Sequence, residues 1–244
     1  MPTIPRNGQS GPQRLGRADV HIHTRYSDGQ PSVPEVLEHV ASIALDVIAI
    51  TDHDTIEGAL EAHDLASRYG LEVIVGEEIS SRQGHILGLF LKEAVPPGLS
   101  AAETVAAVHA QGGLAVAAHP FMRGTTHLKG IGSVPMGIGY GISHVLLDGV
   151  EVGHSFPTMA WANYRASRFN RRHLHLPELG NSDAHIKEVI GKSVTLFPGR
   201  TAQDFAHALR AGQTSVASSP YRPGELLLYL RFWTALRRGD AGNT

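Results

Sequence analysis

The chain has 244 residues, 42% of them apolar and 18% charged, with a formal net charge of −2, an ordinary composition for a globular protein that buries its own core. That balance, with no contiguous basic stripe, gives no bulk electrostatic drive toward nucleic acid or a membrane surface. The absence of cysteine excludes disulfides, thiolate metal sites and cysteine nucleophiles, so any metal has to be held by His, Asp and Glu.

The elements follow in chain order. Residues 1–16, rich in Pro, Gly and polar side chains and without an apolar signal region, are expected to form a flexible tail ahead of one domain over 17–244. Strands are predicted over 17–24, 46–51, 71–80, 84–91, 114–120, 148–154, 176–185 and 193–197. Helices are predicted over 32–45 with Ser32 as N-cap, 55–70 closed by Gly70, and 100–113 opened by a Ser100/Glu103 capping box. Further helices are expected at 158–172, 201–211 and 224–238, the last packing on the rest of the domain. The Gly-rich stretch 121–144 reads as a long loop. Such alternation of strand and helix argues for an α/β fold with a parallel sheet. No apolar run reaches the roughly 18 residues of a membrane span, so a cytoplasmic location is the expectation.

Fifteen histidines stand against twenty-one lysines and arginines, and their positions are informative. His21 and His23 are two apart on a strand and share a face. His53 follows the apolar run VIAI, Glu77 and Glu78 follow VIV, His85 begins a strand, and His119 follows AVAA. Asp183 and His185 repeat the two-residue spacing. In a parallel α/β sheet or barrel, strand ends meet at one rim, and residues far apart in sequence can share a site there. Imidazole or carboxylate at five strand ends fits poorly with core packing, because buried unpaired polar groups each cost several kcal/mol, and a metal cluster supplies the missing partners.

The ordered motifs HxH, SDG, TDHD, GxEIS, H, AHP and SDAH resemble the polymerase and histidinol phosphatase (PHP) superfamily, and most of all its small bacterial phosphoesterases. The resemblance runs from about Asp19 to about Gly212. It implies a distorted (β/α)7 TIM-like barrel with the metal site at the carboxyl-terminal rim of the strands. It also implies three divalent ions (Zn, Mn or Fe, or a mixture) held by His21, His23, Asp28, His53, Glu78, His85, His119, Asp183 and His185. One ion would take His21, His23, Glu78 and Asp183, a second Glu78, His85 and His119, and a third Asp28, His53 and His185. Glu77 competes with Glu78, but alternation lets only one face the centre and the following Ile-Ser favours Glu78.

Three divalent ions against three carboxylates leave a charge of about +3, which suits a phosphate. The implied chemistry is hydrolysis of a phosphomonoester of a small metabolite or nucleotide by a metal-bridging hydroxide. His154, after the strand GVEV, is expected as a proton donor or phosphate contact, and Arg123 as a phosphate contact. Lys192 and Arg25 read as surface charges, His39, His63, His109 and His207 as structural or surface residues, and His127 and His144 as loop residues that could line a lid. Asp19 carries no assigned role. The expected partner is a small phosphorylated substrate, with no polymerase module, and the oligomeric state is left open. The competing readings are a metallohydrolase of a non-phosphate substrate on the same barrel and a non-catalytic metal-binding PHP module.

Overall fold

The computed structural model describes residues 14–238. Eleven strands are present among them: β1 (Gly16–Asp19), β2 (Val47–Ile50), β3 (Glu72–Ser81), β4 (Gly84–Leu89), β5 (Leu114–Ala117), β6 (Thr125–Leu128), β7 (Gly132–Pro135), β8 (Gly149–Gly153), β9 (Glu178–Gly180), β10 (Ser193–Phe197) and β11 (Ser215–Ser218). The helices are α1 (Val33–Ser42), α2 (Glu57–Tyr69), α3 (Ala101–Ala110), α4 (Ala160–Phe169), α5 (Ala202–Arg210) and α6 (Pro223–Arg238).

Nine strands form one sheet in the order β11-β10-β1-β2-β3-β4-β5-β8-β9. Its two ends approach each other. Beyond β1 and β9 the chain bridges in parallel at Ile22 and Ala184, and the Thr195 hydroxyl of β10 donates to the Gly180 carbonyl of β9 at 3.0 Å. The result is a nearly closed barrel with strands of mixed direction. The sequence reading expected a distorted (β/α)7 barrel, and the distortion has a specific form. β1, β2 and β3 are parallel, as are β5, β8 and β9, but β4 is antiparallel to both of its neighbours. The hairpin from Ser81 to Gly84 is too short to hold a crossover helix, so β4 must run backwards. Its start therefore lies at the same rim as the ends of the parallel strands, which is why His85 can join a site otherwise built from strand ends.

Alternate strand residues divide the core into one cluster inside the barrel and two outside it, on the α1–α2 side and the α3 side. Val47, Ala49, Ile74, Leu87, Leu89, Leu114 and Val116 pack together inside, where Phe205 and Leu209 of α5 join them. Ile48 and Ile50 turn the other way, onto Val36, Leu37 and Val40 of α1 and Ala59 and Ala62 of α2. α5 sits at the amino ends of the strands, fixed by Arg200 on Asp46 before β2 and by the Ala202 amide on Glu72 at the start of β3. The opposite end is thus left for polar chemistry.

Local expectations hold at the caps. Ser100 Oγ accepts from the Glu103 amide while the Glu103 carboxylate accepts from the Ser100 amide at 2.8 Å. Gly70 ends α2 in the left-handed region at φ +65°. Two expectations are corrected. The stretch 121–144 is not a plain loop: it contains the β6–β7 hairpin and a 3₁₀ turn over Gly139–His144. The strand expected over 176–185 is regular only at Glu178–Gly180, because the chain beyond it turns through Asp183 at φ +50°. Of the expected tail 1–16, residues 1–13 lie outside the described residues, and Gly16 already pairs with Phe197. α6 packs on the barrel as expected, Tyr229 and Phe232 being buried against Ala184 and Ile186. No described helix is long and apolar enough to cross a membrane.

Candidate metal centre

Glu78 lies on β3 with its carboxylate at the middle of the cluster. Oε2 is 3.2 Å from His21 Nε2, His23 Nε2 and His53 Nδ1. Oε1 is 2.8 Å from His85 Nδ1 and 2.9 Å from His119 Nε2. One carboxylate thus faces five imidazoles, three on one oxygen and two on the other, the arrangement a bridging ligand requires. Glu77 points away: its Oε2 accepts the Val95 amide at 2.8 Å, and burial raises its carboxyl to about 7.

Asp183 is the second hub. Its Oδ1 lies 3.0 Å from His23 Nε2 and 3.3 Å from His21 Nε2, and its Oδ2 lies 3.4 Å from His154 Nε2. Asp28 closes the open side, 3.3 Å from His185 Nε2, with His23 and His53 at 3.8 and 3.9 Å. Asp28 and His53 are partly exposed while the other seven expected ligands are buried, so the cluster opens to solvent on their side.

Three local features place these groups. The glycine of SDG is required because a Cβ on Gly29 would lie 2.5 Å from the His23 carbonyl group, and this close approach folds Asp28 back over His23. Asp52 accepts from the Thr24 amide at 2.7 Å and from the Ser27 hydroxyl at 2.6 Å, tying the HxH strand to the TDH turn. His119 and Asp183 have φ of +26° and +50°, a strained conformation of the kind that persists at functional sites.

Four sets of groups present ligand atoms within 4.8 Å of one another. His21, His23, Glu78 and Asp183 form one, the same four expected for the first ion. His23, Asp28, His53 and His185 form another, which adds His23 to the expected third set. The third, His53, Glu78 and His85, differs from the expected Glu78, His85 and His119, although His119 faces the same Glu78 oxygen as His85. The fourth, His21, Glu151 and His154, was not expected.

The donors fit divalent metal ions. His21 Nε2, His23 Nδ1, His53 Nδ1, His119 Nδ1 and Glu78 Oε2 are buried without a hydrogen-bond partner, an arrangement that costs several kcal/mol unless something binds them. Burial disfavours a charged His21, yet Glu151, Asp183 and Glu78 hold its imidazole well above the usual range. His23 is raised against burial to about 10 by Asp183 and Glu78. Burial likewise opposes the ionised Glu78, which His53, His21 and His85 keep well below the ordinary carboxylate range. For His53, burial prevails and lowers it to about 4. A field that draws protons onto buried imidazoles draws a divalent cation to the same lone pairs.

Two residues that hold the cluster in place, Glu151 and Asp19, were given no role in the sequence reading. Glu151 is buried in β8, 3.0 Å from His21 Nδ1, and accepts from the His119 amide at 2.7 Å and from Asn181 Nδ2 at 2.7 Å. Its signal was a charged residue in the middle of the apolar strand GVEV. Asp19 accepts the Ser182 amide at 3.0 Å and the Gly191 amide at 2.8 Å, so it fastens β1 to the turn that carries Asp183.

His154 is buried with both ring nitrogens unpartnered. Arg123 is exposed, four residues beyond His119. Lys192 pairs with Glu225 at 2.7 Å and Arg25 with Glu35 at 3.5 Å. His39 is half-buried, and His63, His109, His127, His144 and His207 are exposed.

Comparison with known proteins places these residues in a family. Residues 19–112 match the model of the PHP domain and residues 160–214 that of a PHP-associated segment. An uncharacterized protein of Methanocaldococcus jannaschii is 37% identical over 151 residues, 57% of this chain and 82% of that protein. A phosphoribosyl 1,2-cyclic phosphate 1,2-diphosphodiesterase of Eggerthella lenta is 38% identical over 84 residues, and a 3′,5′-nucleoside bisphosphate phosphatase of Chromobacterium violaceum 37% over 86. These matches span only 32% of each chain in the first case, and 34% of this chain and 30% of the relative in the second.

Among solved structures, a two-domain protein of Bacteroides vulgatus, described as containing a predicted PHP-like metal-dependent phosphoesterase, superposes with a TM-score of 0.68 at 18% identity over 89% of this chain and 70% of its own. A putative metal-dependent phosphoesterase of Bifidobacterium adolescentis gives 0.56 at 19% over 79% and 95%. At such identities the likeness is one of fold. With both family models matched in order, and a relative covered over most of its length at 37% identity, this chain belongs to the PHP domain family.

Proposed function

We propose that the protein is a metal-dependent phosphoesterase that hydrolyses a phosphate ester of a small metabolite or nucleotide at a site of three divalent ions. The observation that carries this reading is the convergence of five imidazoles on the two oxygens of one buried carboxylate, Glu78, with Asp183 and Asp28 beside them. The ligands are His21, His23, Asp28, His53, Glu78, His85, His119, Asp183 and His185. All are N or O donors, which suit Zn, Mn or Fe. Ions held there supply Lewis acidity and a water that ionises near neutral pH.

The chain's own residues do the rest. Glu78 and Asp183 fix the imidazoles around a common centre, and Glu151 holds the His21 ring through Nδ1 so that Nε2 faces inward. His154, buried 3.4 Å from Asp183 Oδ2 and without a hydrogen bond, is placed to pass a proton to the leaving-group oxygen. Arg123 is the arginine available to a phosphate arriving beside His119. Two relatives named for phosphate-ester hydrolysis, the cyclic phosphate diphosphodiesterase and the nucleoside bisphosphate phosphatase, support the class of reaction.

The test is a panel of phosphomonoesters and phosphodiesters offered to the metal-loaded protein, with metal content measured in parallel. Release of phosphate that is lost in both His21→Ala and Asp183→Ala is expected. No hydrolysis of any ester, or activity unchanged in both variants, would overturn the reading.

A further inference from the structure

Charge along this chain is uneven in a way that its net value hides. Residues 104–177 contain six lysines and arginines and two acids, whereas the remainder contains fifteen against twenty-one. Both acids of the basic stretch are engaged: Asp148 holds His109 and the Ala115 amide, and Glu151 is buried against His21. No acid occurs between Glu151 and Glu178, and four arginines do.

Those arginines lie on α4 and the π turn that continues it over Asn170–Leu174. They interleave with aromatic rings. Trp161 is 62% exposed and Tyr164 52% exposed, and their rings stack at 5.6 Å with an interplanar angle of 26°. Tyr140, from the 3₁₀ turn after β7, is 58% exposed. The Arg165 guanidinium lies over the Phe121 ring at 4.8 Å and donates to the Tyr140 hydroxyl at 3.0 Å. Arg168 reaches the Tyr164 hydroxyl at 3.4 Å. Among the described residues only Arg171 of the four has a carboxylate partner, Glu178 at 3.2 Å. Together Tyr140, Trp161, Tyr164, Arg165, Arg168 and Arg172 line a groove of about 470 Å³.

Large exposed rings with unpaired guanidinium groups between them are what a flexible polyanion with flat bases requires. Bases stack on the rings without regard to sequence, and phosphates meet the arginines. From Trp161 to Arg172 the face spans about 16 Å at the helical rise, enough for a few nucleotides. A second copy of the chain is a poor occupant, because a twofold contact through this face would set its arginines against themselves. We infer that the face formed by α4 and Tyr140 binds single-stranded nucleic acid. α4 is anchored to the metal centre through the Asn163 amide, which donates to the His154 carbonyl at 2.8 Å, so a bound strand would lie beside that centre. The inference stands whether or not the phosphoesterase reading does.

The test is fluorescence anisotropy of labelled 12-nucleotide single strands, DNA and RNA, titrated with the full metal-loaded chain. Binding is expected to weaken roughly 20-fold between 50 and 200 mM salt if three arginines meet phosphate. It should fall at least about tenfold in Trp161→Ala, and further in Arg168→Ala/Arg172→Ala. Quenching of tryptophan fluorescence by the strand should disappear in Trp161→Phe. Hydrolysis of a small phosphomonoester by the same variants reads the other proposal separately and should not change. No binding of either strand, or binding unaltered by the three variants, would overturn the inference. So would displacement of the strand by polyglutamate at equal charge concentration, which would assign the face to an acidic protein.

Discussion

His21 Nδ1 and Glu151 Oε1 lie 3.0 Å apart with both side chains buried, and they join β8 to the segment that follows β1. The contact fixes which nitrogen of His21 is turned inward. In Glu151→Gln the amide oxygen can take over either the two hydrogen bonds at Oε1 or the one at Oε2, not all three, and it presents no charge to His21. Metal affinity is expected to fall about 10- to 100-fold, with the fold retained. Titration of metal into the metal-free variant, followed by calorimetry, measures it, and unchanged affinity would show that the contact is structural only.

Glu78→Gln tests the centre of the cluster. An amide cannot face five imidazoles as an anion does, so metal content measured by elemental analysis is expected to drop by at least one ion per chain relative to the unaltered protein. Full loading of the variant would show that Glu78 does not bridge.

His154→Gln keeps a polar side chain and removes the proposed proton donor. A loss of 10²- to 10⁴-fold in kcat is expected, smallest for esters with acidic leaving groups that need no protonation. Equal losses for all leaving groups would assign His154 to binding instead.

Chelation reverses the stabilisation that bound ions provide. Because they bind the folded chain and five of the buried ligand atoms have no hydrogen-bond partner, removing them is expected to lower Tm, with a loss that grows as the logarithm of free metal over Kd, about 2.7 kcal/mol per site at 100 times Kd. Thermal scans with and without chelator, and after metal is restored, check this. Scans that coincide would contradict it.

Glu77 gives a pH prediction that lies away from the ligands. Burial raises its carboxyl to about 7 in the folded chain from 4.5, so the folded state holds the proton more tightly than the unfolded one. Its contribution is most favourable below about 4.5 and is lost as pH rises through 7, amounting to about 2 to 3 kcal/mol. Glu77→Gln keeps the acceptor for the Val95 amide and cannot ionise. Urea midpoints at pH 5 and pH 8, with metal saturating, should differ less for the variant than for the unaltered chain.

How much of this was legible beforehand differs by residue. That His21 and His23 share a face could be read from spacing, because a period of two puts both on one side of an extended segment, while their place among the ligands came from the later strand ends and the family resemblance. Alternation left room at the centre for only one of Glu77 and Glu78, the following Ile-Ser favoured Glu78, and the structure turns Glu77 onto the Val95 amide. Glu151 was not read, because a single carboxylate in an apolar strand acquires meaning only from the ring that meets it. The hairpin β6–β7 was read as loop because its glycines at 130 and 132 mark turns, and Gly132 and Pro135 on its second strand are poor strand formers. The antiparallel course of β4 was missed, since alternation of apolar residues says nothing of direction.

The sequence by itself determined most of the elements, the caps and a set of candidate metal-seeking side chains, because these depend on local periodicity and on the chemistry of each residue. Only the tertiary structure decided which donors lie together, that β4 runs against its neighbours so that its start reaches the rim, and that Tyr140 joins the arginines and rings of α4 on one face. Those are distances between residues far apart in the chain, fixed by how the sheet closes on itself and by which side of each strand is left to the interior.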